Sequence, residues 1–160
     1  MHTERLILHP VEIDEAERIL AREPGTQDSW AQDFPFDGDV IGLTMFLRAT
    51  AAFGDQYPFG HYVVVRTADG QAIGGVGFKG QPKNGTVEIG YGLAPSARGN
   101  GYAAEAAQTL VTLAREHGLS RIVADTDTDN IASQRTLEHA GFTKTERGTN
   151  DDLLLYELNI

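Results

Sequence analysis

A strand that runs into a long helix through two closely spaced glycines constrains this chain more than any other feature. Val87-Glu88-Ile89-Gly90-Tyr91-Gly92-Leu93 has the alternation of a strand. From Tyr102 to His117 the period changes, with Ala103, Ala106, Ala107, Leu110, Leu113 and Ala114 at helical spacing and Gly118 as a C-terminal stop. The segment between them contains Arg98-Gly99-Asn100-Gly101. Such a junction presents unpaired main-chain N–H groups at the positive end of the helix dipole, and glycine lets that backbone approach an anion. From this loop alone, a phosphate or pyrophosphate site and a tight packing turn are both open readings.

The rest of the chain must fold around that junction. Leu6 and Leu8 mark a short strand, and a helix from Ile13 to Arg22 stops at Pro24-Gly25. Residues 26–39 form a loop carrying Trp30, Phe34 and Phe36 as apolar beads. A second helix follows from Val40 to Phe53, with Ile41, Met45 and Leu47 on its apolar side. Tyr62–Arg66, Ala72–Phe78 and Val87–Leu93 are strands separated by the hairpin dipeptides Asp69-Gly70 and Asn84-Gly85, hence an antiparallel meander. After the long helix come a strand at Arg121–Ala124, a helix at Asn130–His139 stopped by Gly141, and strands at Phe142–Glu146 and Leu153–Leu158. The expected fold is α/β of the α+β kind: a mixed, mostly antiparallel central sheet with helices on both faces.

Composition removes several function classes. The 160 residues suit one domain, and 41% apolar residues suffice for a packed core. Thirteen Lys and Arg against 23 Asp and Glu give a net charge of −10, which opposes binding to nucleic acid or anionic lipid. The absence of cysteine excludes disulfides, thiolate metal sites and a Cys nucleophile. With no basic, apolar leader and no apolar run of membrane-spanning length, the expectation is a cytoplasmic chain. The charge is uneven: residues 1–55 hold 4 basic and 11 acidic side chains, and residues 56–160 hold 9 and 12.

Two phosphate motifs do not fit the glycine loop. Gly99-Asn100-Gly101-Tyr102-Ala103-Ala104 satisfies the dinucleotide pattern formally, but no run of parallel βα units follows it. No Lys-Ser/Thr follows the glycines, so it is not a Walker loop. A second segment decides the matter: Asp129-Asn130-Ile131-Ala132-Ser133-Gln134-Arg135-Thr136-Leu137-Glu138-His139-Ala140-Gly141-Phe142. Together with the strand–loop–helix junction, and with the opening Thr3-Glu4-Arg5-Leu6, it resembles the GNAT N-acetyltransferases, in their RimJ/RimL-like branch. The resemblance spans nearly the whole chain. One departure is Ser96, where the superfamily often has Gln or Arg three residues before the first glycine.

What the resemblance implies is direct acetyl transfer from acetyl-CoA, as co-substrate, to a primary amine of a small-molecule or peptide acceptor. No covalent enzyme intermediate and no metal are needed. Residues 1–55 would shape the acceptor side and residues 56–160 the acetyl-CoA-binding core of a single domain, monomeric or homodimeric. Main-chain N–H groups of Arg98, Gly99, Asn100, Gly101, Tyr102 and Ala103 would hold the pyrophosphate. The N–H of Leu93 would face the developing oxyanion, and Asn130 would bond the cofactor arm. Arg98, Arg135 and Lys144 are candidates for its 3′-phosphate. Many relatives place a tyrosine acid where this chain has Leu137, so Ser133 becomes the candidate to protonate or hydrogen-bond the thiolate, with helix capping as its alternative role.

Glu88 is the candidate base, or else an ordinary outward-facing strand carboxylate. Tyr91 alternates onto the opposite face from Glu88, and Glu105 reads as solvated or locally paired. On the acceptor side, Trp30, Phe34, Asp33 and Glu88 are the candidate contacts, and Asp28, Asp33, Asp37 and Asp39 would favour cationic amines. His61 could line the same site or be structural. Asp125-Thr126-Asp127-Thr128-Asp129 lacks the glycine and glutamate of a calcium loop. A non-catalytic acyl-CoA-binding sensor on the same fold is the second functional reading.

Overall fold

Turn glycines and β-branched residues fix the first half of the sheet. In the computed structural model, which describes residues 1–146 and 152–160, β1 (Leu6–Pro10) pairs antiparallel with β2 (His61–Arg66). β2 continues antiparallel into β3 (Gln71–Phe78), and β3 into β4 (Thr86–Leu93). Gly70, Asn84 and Gly85 all take positive φ at the two turns, where the dipeptides placed them. The second half holds β5 (Arg121–Asp127), β6 (Thr143–Thr145) and β7 (Leu153–Asn159). Among the described residues, the seven strands form one sheet in the order β1-β2-β3-β4-β5-β7-β6, with β4 and β5 as its parallel neighbours.

Among the described residues, four α-helices cover the sheet: α1 (Ile13–Ala21), α2 (Asp37–Phe53), α3 (Tyr102–Glu116) and α4 (Ile131–His139). Side-chain alternation along β4 shows which face each covers. Gly92 lies beneath Phe36, at the start of α2, whereas Tyr91 on the other face reaches Ser133 of α4. Leu6, Leu8, Ile73, Val76, Ile89, Leu110, Ile122 and Leu137 are buried between the layers. Burying such side chains, at roughly 1.5–3 kcal/mol each, is the main force holding helices to sheet. Among the described residues, no helix is long and apolar enough to cross a membrane.

Two elements differ from the sequence reading by more than one residue at an end. β5 runs on to Asp127 because β7 pairs with it over its whole length, a tertiary partner invisible in the local pattern. α2 begins at Asp37 rather than Val40, where the Asp39 carboxylate turns back to accept the Phe36 N–H at 3.0 Å. The apolar side expected of α2 is not the buried one. Leu43 is buried, but Ile41 and Met45 are exposed. Gly42 leaves room for the His61 ring instead, since a Cβ there would lie 2.8 Å from His61 Cε1.

The strands β4 and β5 pair only from Thr86–Arg121 to Glu88–Val123. Beyond that point β4 follows β3 as far as Leu93, while β5 follows β7 as far as Asp127. The sheet therefore opens in a V between them, and the β5-facing edge of β4 from Ile89 to Leu93 has no ladder partner there.

Candidate active site

The V opens into a cleft of about 560 Å³ bounded by α2, the β3–β4 floor, β5 and the start of α4. Its floor is a two-by-two block of glycines, with Gly75 opposite Gly92 and Gly77 opposite Gly90. A Cβ at Gly75 would collide with the His61 ring and lie 3.2 Å from Asp39 Oδ1; one at Gly92 would collide with Phe36. Glycine is required here so that these side chains can lie flat on the sheet. The wall above is apolar, made by Ile41, Met45 and Phe46 of α2.

Beyond the tip of β4 lies the glycine loop. Gly99 and Gly101 have φ of 78° and 77°, and nothing lies within 4 Å of a Cβ built at Gly99. There the glycine serves backbone conformation and open access rather than packing. Among the described residues, none accepts a hydrogen bond from the main-chain N–H groups of residues 99–104, whereas the Glu105 N–H closes the first helical bond onto Gly101 O. A run of free N–H groups at the start of a 15-residue helix suits a pyrophosphate. The loop is braced from behind. Asn100 donates to the carbonyls of Ala97 and Arg98, and Arg5 donates to Asn100 O at 2.8 Å while its guanidinium lies 4.8 Å from the Tyr102 ring centre. Ala103 is half-buried behind it. Glu105 pairs with Arg5 at 2.6 Å and accepts from Thr3, tying the N-terminal segment to α3. Burial alone would raise the Glu105 carboxyl, but these bonds outweigh it and hold it below its usual range.

The Arg98 side chain turns inward. Its Nε donates to Leu93 O at 2.9 Å, and its guanidinium lies over the Phe36 ring. Arg98 thus fixes the end of β4, and its own N–H closes a turn onto Pro95 O at 3.2 Å, so the free N–H groups begin at Gly99 and not, as expected, at Arg98. Arg135 is exposed on α4, and Lys144 is exposed on β6.

On the α4 side, Asn130 and Ser133 both line the cleft, and Asn130 Oδ1 caps the helix by accepting the Ser133 N–H at 3.1 Å. Thus Asn130, not Ser133, supplies the cap. The Ser133 hydroxyl faces Tyr91, whose phenol oxygen lies 2.9 Å from Oγ and 3.1 Å from the Ser133 carbonyl. Tyr91 was not a sequence candidate: alternation separated it from Glu88 but could not show that its face meets α4. Burial pushes the Tyr91 phenol up to about 12, against the lowering effect of its bond to Ser133. It keeps its proton and acts as a donor. Leu137 is fully buried in the core.

Of the carboxylates, Glu88 is held in an ion pair with Lys79 at 2.8 Å, and the same ammonium reaches Asp125 at 2.6 Å. Glu88 sits beside the cleft with its charge engaged. Asp39 is different. It is 2% exposed, and it lines the cleft. Its Oδ2 accepts the Phe36 N–H, and no described residue donates to Oδ1. Burial raises its carboxyl to about 7 despite that bond. His61, beside it over Gly75, is pushed down to about 4 by burial and is neutral at physiological pH. The available sequence signals were an aspartate at a helix start and glycines at alternate positions of two adjacent strands.

The early-loop candidates lie elsewhere. Phe34 is in the core, edge-on to half-buried Trp30 at 5.4 Å, and neither lines the cleft. Asp33 accepts from the Ser96 hydroxyl and N–H at 2.6 and 2.7 Å, which hold its carboxyl below the usual range. It staples the loop to the turn before Arg98. Asp28 pairs with Arg18 and caps Gly25 N–H, so of the four early aspartates singled out, Asp39 is the one that lines the cleft. Asp125 and Asp127, from the other end of the chain, also line it. The acidity of the first third is therefore mostly outside the cleft.

Comparison with known proteins bears on the family and the fold. The family described as acetyltransferase (GNAT) domain matches residues 5–143. The uncharacterized N-acetyltransferase YjdG of Bacillus subtilis (strain 168) is 44% identical over 87 residues, a match spanning 52% of this chain and 51% of that one. The chain thus spans about half the length of that relative. The crystal structure of the acetyltransferase from Agrobacterium tumefaciens str. C58 superposes with a TM-score of 0.70 at 25% identity, covering 99% of this chain and 92% of the other. Microcin C7 self-immunity acetyltransferase MccE, solved in complex with acetyl-CoA and AMP, shares the fold with a TM-score of 0.68 at 18% identity, covering 99% and 94%.

Proposed function

Since the chain belongs to the GNAT acetyltransferase family, we propose that it moves the acetyl group of acetyl-CoA directly to a primary amine of a cationic small-molecule or peptide acceptor. The observation that carries this reading is the row of free N–H groups at residues 99–104, placed just beyond the strand edge that the V leaves unpaired. The first suits a pyrophosphate, and the second suits an extended arm that hydrogen-bonds as a strand would.

In this reading the Leu93 N–H stands at the developing oxyanion and Asn130 bonds the arm with its free amide group. Ser133, oriented by Tyr91, donates to the departing sulfur. The Tyr91 phenol oxygen is engaged at Ser133, 2.9 Å from Oγ and 3.1 Å from the carbonyl, so its part is to position the Ser133 hydroxyl, which serves the sulfur as a hydrogen-bond donor. Arg135 and Lys144 are the side chains available to a more distant phosphate.

The test is direct. Acetyl-CoA at saturating concentration should raise the melting temperature, and a panel of primary amines should elicit CoA thiol release. Binding without release for every amine would favour an acyl-CoA sensor on the same fold. No shift and no release would remove the reading altogether.

A further inference from the structure

We propose that Asp39 is the group that receives the acceptor's ammonium and takes its proton, and that the acceptor amine sits on an apolar body held against Ile41, Met45 and Phe46. This rests on the acetyl-transfer reading and adds to it the proton acceptor and the acceptor's chemical class.

The geometry singles out Asp39 among the cleft's carboxylates. Asp125 and Glu88 share the Lys79 ammonium in two ion pairs, and Asp127 lies exposed at the end of β5. Asp39 is buried at the floor, and its Oδ1 has no donor among the described residues. That oxygen lies 3.2 Å from the Cβ position of Gly75, whose cross-strand partner is Gly92. Gly92 lies beneath Phe36 and immediately precedes Leu93, so the free oxygen stands over β3, one strand in from the proposed oxyanion donor. A carboxylate buried beside a neutral imidazole has every reason to accept a cation. The titratable groups that share the cleft with it are His61 from β2, Lys79 just after β3, Tyr91 on the far face of β4, and Asp125 and Asp127 of β5. Its raised pKa also matches the requirement of a base poised near neutrality.

The wall supplies the second half of the proposal. Ile41 is 63% and Met45 46% exposed, on the side of α2 that forms the cleft. Exposed apolar side chains lining a pocket gain by covering an apolar ligand. An ammonium alone would leave them wet.

The proton inventory closes. Asp39 accepts one proton from the ammonium and later releases it to solvent. The neutral amine forms its C–N bond at the thioester carbonyl. As the C–S bond breaks, the amine's second proton leaves nitrogen and the sulfur departs as thiol. One proton is released per turnover.

Hexylamine is a suitable probe, with ethanolamine as its polar counterpart, read as CoA thiol release between pH 6 and 9. The expected profile of kcat/KM has a limb near pH 7 that is absent in D39N, with a loss on the order of 10²-fold, partly restored in D39E. Hexylamine should be preferred to ethanolamine, and the preference should shrink in M45S. D39N should still shift its melting temperature with acetyl-CoA; if neither it nor the wild type does, the acetyl-transfer reading itself has failed. If hexylamine is not turned over, hexylammonium at pH 8 should still raise the melting temperature of wild type and not of D39N. Wild-type activity and profile in D39N, a limb that disappears in E88Q instead, or absence of any hexylammonium effect on the wild type would each overturn the proposal.

Discussion

Tyr91 of β4 and Ser133 of α4 meet across the mouth of the V, phenol oxygen to hydroxyl, at 2.9 Å. The contact joins a strand that lost its neighbour to the helix that follows the neighbour. It is also the point where the cleft acquires a hydroxyl with one fixed direction. If Ser133 serves the leaving sulfur, Tyr91→Phe should lower kcat roughly tenfold while leaving the acetyl-CoA dissociation constant within about twofold, because the arm's main-chain contacts persist. Ser133→Ala should cost more, on the order of 10²-fold. The double variant should be no slower than Ser133→Ala, since Tyr91 acts through the serine. Additive losses in the steady-state assay of CoA thiol release would show that Tyr91 has a separate part.

Gly75→Ala tests the glycine floor. The added methyl would collide with His61, which packs under α2 at Gly42, and press on Asp39, which the first turn of α2 holds against the sheet. Overpacking of this kind costs about 1–3 kcal/mol. For a chain of this size that is a fall of several degrees in melting temperature, together with a raised KM for the acceptor and little change for acetyl-CoA.

Gly99→Ala should behave in the opposite way. A Cβ there meets nothing within 4 Å, so the cost is the positive φ alone, about 1–2 kcal/mol. The strain falls on the loop whose N–H groups are free. Acetyl-CoA affinity should therefore weaken in isothermal titration while the acceptor KM stays near the wild-type value.

Much of this architecture is visible in the residues themselves, because it is local. The hairpin dipeptides, the change of period at Tyr102 and the stop at Gly118 each act within a few positions. The cap at Asn130 and the glycines at 99 and 101 are local as well, which is why the cofactor side is legible. The acceptor side is built from distance. Asp39 and His61 come together only because Gly42, Gly75 and Gly77 remove the side chains that would separate them. Trp30 and Phe34 look available in a polar loop, yet the loop bridges to Ala72 and turns them toward the core. The apolar character of α2 suggested a buried side, but Ile41 and Met45 line a cleft that exists only because β4 and β5 part. Charge counted along the chain failed for the same reason, since Asp125 and Asp127 reach the cleft from beyond α3.

The Asp39–His61 neighbourhood makes a prediction about stability that is independent of any substrate. Asp39 moves from 3.8 to about 7 on folding, so its contribution is most favourable below pH 3.8 and is lost as pH rises through 7. His61 moves from 6.5 to about 4, so its contribution is intact above pH 6.5 and is lost as pH falls through 4. Between about pH 4 and 6.5 the unfolded chain binds one proton more at His61 and one fewer at Asp39. Each group alone would impose a slope of about 1.4 kcal/mol per pH unit, and the two slopes have opposite signs. Together they cancel. Denaturant titrations of Asp39→Asn should therefore show stability falling as pH drops from 6.5 to 4, and His61→Gln should show it falling as pH rises from 4 to 7. Above pH 7, Asp39→Asn should exceed the wild type in melting temperature, because it no longer buries a charge. The carboxylates held low by hydrogen bonds, Asp33, Asp69 and Glu105, lose their contribution at acid pH in all three proteins and so drop out of the differences. If both variants track the wild-type curve at a constant offset, the two groups do not titrate as a buried, opposed pair.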